Sequence, residues 1–112
     1  MFGSLEVFLA QLATLAHIHF PSASLETIYC RTEMASLRLI ISPRLFVDIY
    51  YNTLTGRFDF SLIQCTSRVF GYDNLKTWHF HPFGRPNDHV ECIAPTLEQI
   101  VLETSEVIEL LA

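Results

Sequence analysis

An α+β fold is predicted for this chain of 112 residues, and three observations predict it. Apolar residues recur at three- and four-residue spacing near both ends, which indicates an amphipathic helix at each end. Between the helices the spacing falls to two, which is typical of strands. The connections between these strands are short, whereas a parallel crossover needs about a dozen residues, so neighbouring strands must be antiparallel. We therefore expect one domain, residues 1–112, in which an N-terminal helix, an antiparallel β-meander of five to six strands and a C-terminal helix follow one another.

Both helices are predicted from a capping signal and an apolar stripe. The first begins after Ser4, a favourable N-cap, and ends before Pro21, which bars continuation. Its stripe consists of Leu5, Phe8, Leu9, Leu12, Leu15 and Ala16. The second begins at the capping-box pattern Thr96-Leu97-Glu98-Gln99. Its stripe consists of Leu97, Ile100, Val101, Thr104, Val107, Ile108 and Leu111, and its outer face carries Glu98, Glu106 and Glu109.

Six segments between the helices are predicted as strands, because they are short, rich in β-branched and aromatic residues, and separated by turn signals. They are Leu25–Thr32, Ser36–Ile41, Leu45–Tyr51, Arg57–Ile63, Arg68–Tyr72 and Lys76–His81. Apolar and polar residues alternate along the second and fourth of these segments. We therefore expect one face of the sheet to be aromatic and aliphatic and to receive both helices, while the other face carries the arginines.

The compartment is inferred from the N-terminus and the cysteines. The N-terminal segment lacks the basic region of a secretory signal, since the first basic residue is Arg31, and no apolar run reaches the ~20 residues that span a bilayer. Cys30, Cys65 and Cys92 are odd in number and show no C-x-x-C spacing, which argues against a disulfide framework and a cysteine zinc site. We expect a soluble cytoplasmic protein with buried free thiols and no membrane contact.

The composition favours a protein partner. Half of the residues are apolar and 17% are charged, compared with about 25% charged in an average soluble domain. A domain of this size buries only about two-thirds of the surface of its unfolded chain, so we expect a homodimer or another partner. All seven basic residues lie within 31–85, which has a net charge of +3, whereas 86–112 has a net charge of −6. The acidic C-terminal helix argues against binding to duplex DNA.

The densest group of reactive side chains lies in Arg68–His89. His79 and His81 are two residues apart on a predicted strand, so both side chains lie on one sheet face and both imidazoles can reach a single point. Trp78 and Phe80 must then lie on the opposite face, where they can anchor the strand in the core. This geometry is typical of a site.

Residues on either side of this strand complete the candidate site. The loop after Pro82 brings back Arg85, Asp88 and His89, which could close over the two imidazoles. Asp73 and Asn74, in the turn before the strand, could orient them. A second His-x-His, at residues 17–19, lies at the end of the first helix, where the helix dipole alone explains histidines.

Three interpretations of the cluster remain open. The histidines could bind Zn, Ni or Fe, although no third ligand has a diagnostic spacing. They could transfer protons beside an arginine that neutralises a phosphate, which suffices for metal-free cleavage of RNA. They could also be structural. We favour proton transfer, with no cofactor and no metal. The candidate catalytic residues are His79, His81, His89, Arg68 and Arg85, and the candidate binding residues are Asp73, Asn74 and Trp78.

The string from Asp73 to His89, together with the hairpin Asp48–Ile63, resembles the TumE-type proteins of bacteria and archaea. The resemblance runs from about Arg38 to the final helix and marks Asp73, Asn74, Trp78, His79, His81, Pro82 and His89. It implies the toxin half of a toxin–antitoxin pair, with a helix-turn-helix antitoxin as partner, and it fixes no reaction. The leading expectation is a toxin-like protein acting on RNA, and the alternative is a non-enzymatic homodimeric interaction protein.

Overall fold

Residues 2–111, as described by a computed structural model, form two helices and one seven-stranded sheet. The helices are α1 (Leu5–His19) and α2 (Leu97–Leu111). The strands are β1 (Ser24–Cys30), β2 (Met34–Ser42), β3 (Leu45–Asn52), β4 (Phe58–Gln64), β5 (Ser67–Asp73), β6 (His79–His81) and β7 (Val90–Glu91). The predicted α+β class is confirmed.

The sheet is an antiparallel meander in which each strand pairs with the next one in the chain. It differs from the prediction at its C-terminal edge. The predicted strand Lys76–His81 is shortened to β6, because Lys76 has a left-handed φ of 69°, which a strand cannot contain. The two residues of β7 pair with β6 and were not predicted, since two residues are too few to show a period.

The two faces of the sheet are covered differently. On the covered face, apolar side chains such as Leu37, Ile49 and Phe60 pack with residues of α1 and α2 in one core. On the open face neither described helix packs, and Arg38 lies half-buried beside Asp48. The Nε and Nη2 of Arg38 donate hydrogen bonds to Asp48 Oδ1 at 2.8 Å and Oδ2 at 3.2 Å. The expected division into an apolar face and an arginine-bearing face is confirmed.

Helix α1 begins and ends as its sequence predicts. The backbone N–H of Val7 donates to Ser4 Oγ at 3.3 Å, which identifies Ser4 as the N-cap. The N–H of Phe20 donates to the carbonyl of Ala16 and closes the last turn before Pro21. The predicted stripe is buried at Leu5, Phe8, Leu12, Leu15 and Ala16.

Helix α2 is capped by Thr96, whose Oγ1 accepts from the N–H of Gln99 at 3.1 Å. Its buried residues are Leu97, Ile100, Val101, Thr104 and Val107, and Glu98, Glu106 and Glu109 are exposed as predicted. The Tyr72 hydroxyl of β5 donates to Glu103 Oε2 at 2.8 Å. Burial raises the pKa of Tyr72, and the hydrogen bond to Glu103 raises it further. This contact ties α2 to the half of the sheet that carries the histidines.

The remaining sequence expectations concern the membrane and the cysteines. Within residues 2–111, neither helix has the length and hydropathy needed to cross a bilayer. The thiols are free, as predicted. Cys30 and Cys65 are nevertheless exposed, so the expectation of burial is wrong for them. Cys30 is the last residue of the edge strand β1, and Cys65 lies in the turn between β4 and β5, where a side chain is not enclosed on all sides.

Candidate functional site

His79 and His81 lie side by side on the open face of the sheet. Strand β6 pairs with β5 so that His79 is opposite Asp73 and His81 is opposite Gly71. Phe80 projects to the covered face, where its ring lies 5.6 Å from that of Tyr72. The two imidazole rings are 5.1 Å apart between centroids. The predicted alternation along this segment is confirmed.

Trp78, predicted as a binding residue, lies on the covered face. Its ring is 5.7 Å from that of Phe58 and 6.1 Å from that of Phe2, both of which are core residues. It is not among the residues that line the cavity around the histidines. The indole therefore anchors the segment before β6 and places His79 on the other side of the sheet.

The carboxylate of Asp73 connects the two histidines. Its Oδ2 lies 3.0 Å from His81 Nε2 and 3.1 Å from His79 Nε2. Burial opposes ionisation of Asp73, but the hydrogen bond from the N–H of Leu75 and the neighbouring imidazoles outweigh it, so the pKa of Asp73 is lowered. Asp73 therefore holds its negative charge at the centre of the cluster, as the orienting residue that the sequence predicted.

Backbone carbonyls fix the orientation of both imidazoles. His79 Nδ1 lies 3.0 Å from the carbonyl oxygen of Thr77, and His81 Nδ1 lies 3.1 Å from that of Pro86. A carbonyl oxygen can only accept, so each Nδ1 must carry a proton and donate it. Each Nε2 then faces the centre of the cluster.

His89 completes the cluster from the loop that joins β6 and β7. Its ring centroid lies 4.8 Å from that of His79, in a stacked arrangement, and 4.6 Å from that of His81. His89 is exposed, whereas His81 is 1% exposed and His79 is 6% exposed. The third imidazole that the sequence placed in this loop thus closes over the other two.

The other residues of this loop lie further out. Arg85 has a side chain 71% exposed and pairs with Asp88, with Nη1 3.4 Å from Oδ2. Neither of them lines the cavity. The loop therefore delivers His89 to the cluster and leaves Arg85, a predicted catalytic residue, in solvent.

A cavity of about 390 Å³ surrounds the three histidines. Besides them and Asp73, it is lined by Arg57, Asp59, Arg68, Leu75 and Lys76. Arg68 was predicted from the sequence, and Arg57, Asp59 and Lys76 were missed as site residues. The register of β4 against β5 carried the signal for two of them, because Asp59 is opposite Asp73 and Arg57 is two residues before it on the same face.

The basic side chains of this cavity are only partly neutralised. Arg57 Nη2 lies 3.5 Å from Asp59 Oδ2, and Arg68 makes no ion pair within the described part of the chain. The buried Nε atoms of Arg57 and Arg68 find no hydrogen-bond partner among residues 2–111. Unsatisfied buried donors are rare in native proteins. Both guanidinium groups therefore retain capacity for an anion.

Asp59 lies beside these basic groups as a partly desolvated acid. Burial raises its pKa, and the nearby charge of Asp73 adds to this, against a 2.7 Å hydrogen bond from Ser61 Oγ. Asp59 and Asp73 are paired across β4 and β5. The site thus contains a strongly ionised carboxylate next to one whose ionisation is disfavoured.

Asn74 and Gly71 fix the backbone next to the site. Asn74 Oδ1 accepts from the N–H of Phe58, and Asn74 Nδ2 donates to the carbonyl of Gly56, both at 2.7 Å. This predicted binding residue therefore connects the end of β5 to the start of β4 and to the turn between β3 and β4. A Cβ on Gly71 would lie 2.7 Å from the carbonyl oxygen of Phe60. Glycine is therefore required opposite His81.

The second His-x-His does not join the cluster. His17 and His19 belong to the last turn of α1, which packs on the covered face. The sheet separates them from His79. They offer a matched control for any experiment on the site.

Comparison with known proteins leaves the site to be interpreted from its own geometry. No family model matches the chain, and neither a curated protein nor a solved structure matches it.

Proposed function

We propose that the open-face cavity cleaves RNA by histidine acid–base chemistry, in a toxin-like cytoplasmic protein. The observation that carries the proposal is the convergence of three imidazoles, with centroids 4.6 to 5.1 Å apart, beside Arg57, Arg68 and Lys76. Imidazole is the side chain suited to moving protons near neutral pH, and guanidinium binds phosphate well. Both requirements of phosphodiester cleavage are present in one cavity.

The three basic side chains provide the phosphate-binding part of the site. Arg68 is preferred over Arg85, because Arg68 lines the cavity without an ion pair among the described residues, whereas Arg85 is exposed and paired with Asp88. A single-stranded RNA phosphate held by Arg57 and Arg68 would lie next to the imidazoles. Neutralising its charge favours attack by an oxygen nucleophile.

His79 and His89 are assigned the proton transfers. Because the Nε2 of His79 is buried, it takes the proton of the ribose 2′-hydroxyl through one water molecule, while the 2′-oxygen forms a bond to phosphorus. The bond from phosphorus to the 5′-oxygen breaks, and His89 in its protonated form donates a proton to that oxygen. The products are a 2′,3′-cyclic phosphate and a free 5′-hydroxyl.

His81 is assigned a positioning role. Its ring is 1% exposed and both nitrogens have partners, the carbonyl of Pro86 and the carboxylate of Asp73. It has no free nitrogen to offer a substrate. It holds Asp73 in place, and Asp73 in turn lies against His79 Nε2.

His89→Ala is the decisive variant, because His89 is exposed and its loss should leave the fold intact. Untagged protein is incubated with single-stranded RNA in EDTA, and the RNA ends are analysed. We expect wild type to leave 2′,3′-cyclic phosphate ends and His89→Ala to lose about 10²-fold or more in rate. The double variant His17→Ala/His19→Ala should cleave at the wild-type rate. Equal activity of His89→Ala and wild type, at equal melting temperature, would contradict the proposal.

The toxin assignment rests on the resemblance between the string Asp73–His89 and TumE-type proteins. The resemblance also implies a partner, a helix-turn-helix antitoxin. Expression of the chain alone should arrest growth, and the adjacent reading frame should encode a protein that relieves the arrest. Growth that is unaffected by the wild-type chain would remove this part of the proposal.

One observation favours a second candidate, a homodimer without enzymatic activity. Strand β1 lies at the edge of the sheet and exposes Ile28 and Tyr29, so its free backbone groups can pair with a second copy. Light scattering after size-exclusion chromatography should then give twice the monomer mass, and Ile28→Lys should give the monomer mass. Cleavage assays on the same two samples distinguish a dimeric enzyme from a dimer with no activity.

A further inference from the structure

We propose that the cluster of His79, His81 and His89 binds one divalent transition-metal ion, beside the carboxylate of Asp73. Each of the three histidines offers one ring nitrogen, and these three nitrogens all lie within 4.8 Å of one another. The proposal is independent of whether the protein cleaves RNA. It rests on three features: the orientation of the imidazoles, the spacing of their nitrogens, and a buried nitrogen without a partner.

The orientation of His79 and His81 is that of metal ligands. Each donates its Nδ1 proton to a backbone carbonyl, at 3.0 Å to Thr77 and 3.1 Å to Pro86. Metal-bound histidines almost always donate their second ring nitrogen in this way, which fixes the ring and directs the other nitrogen at the metal. The Nε2 atoms of both rings then lie close to the same carboxylate oxygen, Asp73 Oδ2.

The spacing around this oxygen fits a shared cation. Metal–nitrogen bonds are about 2.0–2.1 Å long, so neighbouring ligand atoms lie about 2.9 Å apart at a right angle and about 3.4 Å apart at a tetrahedral angle. Asp73 Oδ2 lies 3.1 Å from His79 Nε2 and 3.0 Å from His81 Nε2. When His81 Nε2 is protonated, it donates a hydrogen bond to this carboxylate oxygen. A divalent ion bound among these atoms would take the place of that proton.

His79 supplies an independent sign of a missing ligand. The residue is 6% exposed, and its buried Nε2 has no hydrogen-bond partner among the described residues, because its angle to Asp73 does not suit a hydrogen bond. An orphaned buried nitrogen requires an explanation, and an unoccupied coordination position provides one. His89 is exposed, and its ligand nitrogen lies within 4.8 Å of those of His79 and His81.

The ligand chemistry selects the kind of metal. Three imidazole ligands suit Zn²⁺, Ni²⁺ or Fe²⁺ far better than Mg²⁺ or Ca²⁺, which prefer sites made of oxygen atoms. The sequence left metal binding without a third ligand at a diagnostic spacing. The fold provides that ligand through the return of the 82–89 loop.

The test uses untagged full-length protein freed of metal with a chelator. Zn²⁺ uptake is measured by calorimetry, and Co²⁺ is added as a spectroscopic probe of nitrogen coordination. We expect one Zn²⁺ per chain and a visible Co²⁺ absorption band. We expect His89→Ala to weaken Zn²⁺ binding by at least about tenfold. The double variant His17→Ala/His19→Ala, which removes the other His-x-His, should bind as wild type does.

Three outcomes would overturn the proposal: no uptake by folded wild-type protein, unchanged affinity in His89→Ala, or an equal loss in the His17→Ala/His19→Ala control. His79→Gln is measured together with circular dichroism, and His89→Ala decides the matter if His79→Gln does not fold. Cleavage in EDTA reports on the proposed RNA chemistry alone, so either proposal can fail without the other. If both hold, Zn²⁺ should inhibit cleavage, because it occupies the nitrogens of His79 and His89 that move protons.

Discussion

The two faces of the sheet bury their side chains by different means. On the covered face, Phe60 and Ile49 lie beneath α1 and α2 in an apolar core. On the open face no described helix covers the sheet, yet Asp73, His79 and His81 are 5%, 6% and 1% exposed. Their burial comes from one another and from the 82–89 loop. The covered face is thus stabilised by area removed from water, whereas the open face combines polar contacts such as that of Asp73 with His81 and buried nitrogens without a partner among the described residues.

The largest expected effect on stability comes from removing a core side chain of the covered face. Phe60→Ala removes a fully buried ring from the covered face and should lower the free energy of unfolding by about 3–5 kcal/mol. Chemical denaturation measures it. Phe46→Ala is the control on the open face, where the half-buried ring lies 4.1 Å from the Arg38 guanidinium, and we expect a loss of about 1–2 kcal/mol. Equal losses would contradict the division between the faces.

The next effect tests how tightly the open face is packed. Gly71→Ala places a Cβ 2.7 Å from the carbonyl oxygen of Phe60, so β4 and β5 must shift apart. We expect a loss of about 1–3 kcal/mol in the free energy of unfolding, together with weaker Zn²⁺ binding, because His81 is the neighbour of Gly71 on β6. Ser36→Ala on the same face should change stability by less than about 0.5 kcal/mol. If Gly71→Ala had the same free energy of unfolding as wild type, β4 and β5 would be able to move apart without loss of stability, contrary to this prediction.

The smallest effect separates stability from ligand binding. Lys76 has a left-handed φ of 69°, which disfavours any residue with a Cβ. Lys76→Gly should therefore raise the free energy of unfolding by up to about 1 kcal/mol. Its binding of single-stranded RNA should be weaker than that of wild type. Lys76→Ala loses the same charge but keeps the strained backbone. RNA affinity equal to wild type in both variants would show that Lys76 does not contact the substrate.

The sequence predicted the part of the molecule that periodicity controls. Alternation along β2 and β4 predicted the covered face, and the spacing of His79 and His81 predicted two imidazoles on one side. Lys76 was misplaced on a strand, because its left-handed backbone depends on the turn that surrounds it. Arg57 was missed as a site residue, since its place beside the histidines depends on the register of three strands, which no local pattern encodes.

The pairing of Arg38 with Asp48 limits where a nucleic acid can be held. These two charges cancel on β2 and β3, and the positive charge that is only partly neutralised lies around the histidine cavity, with Arg57, Arg68 and Lys76. A flexible polyanion could therefore place at most three phosphates against these basic side chains, and the rest of the sheet would not bind its backbone. Affinity for single-stranded RNA should then fall with salt at a logarithmic slope of about −2, far shallower than that of proteins that follow a strand over many nucleotides.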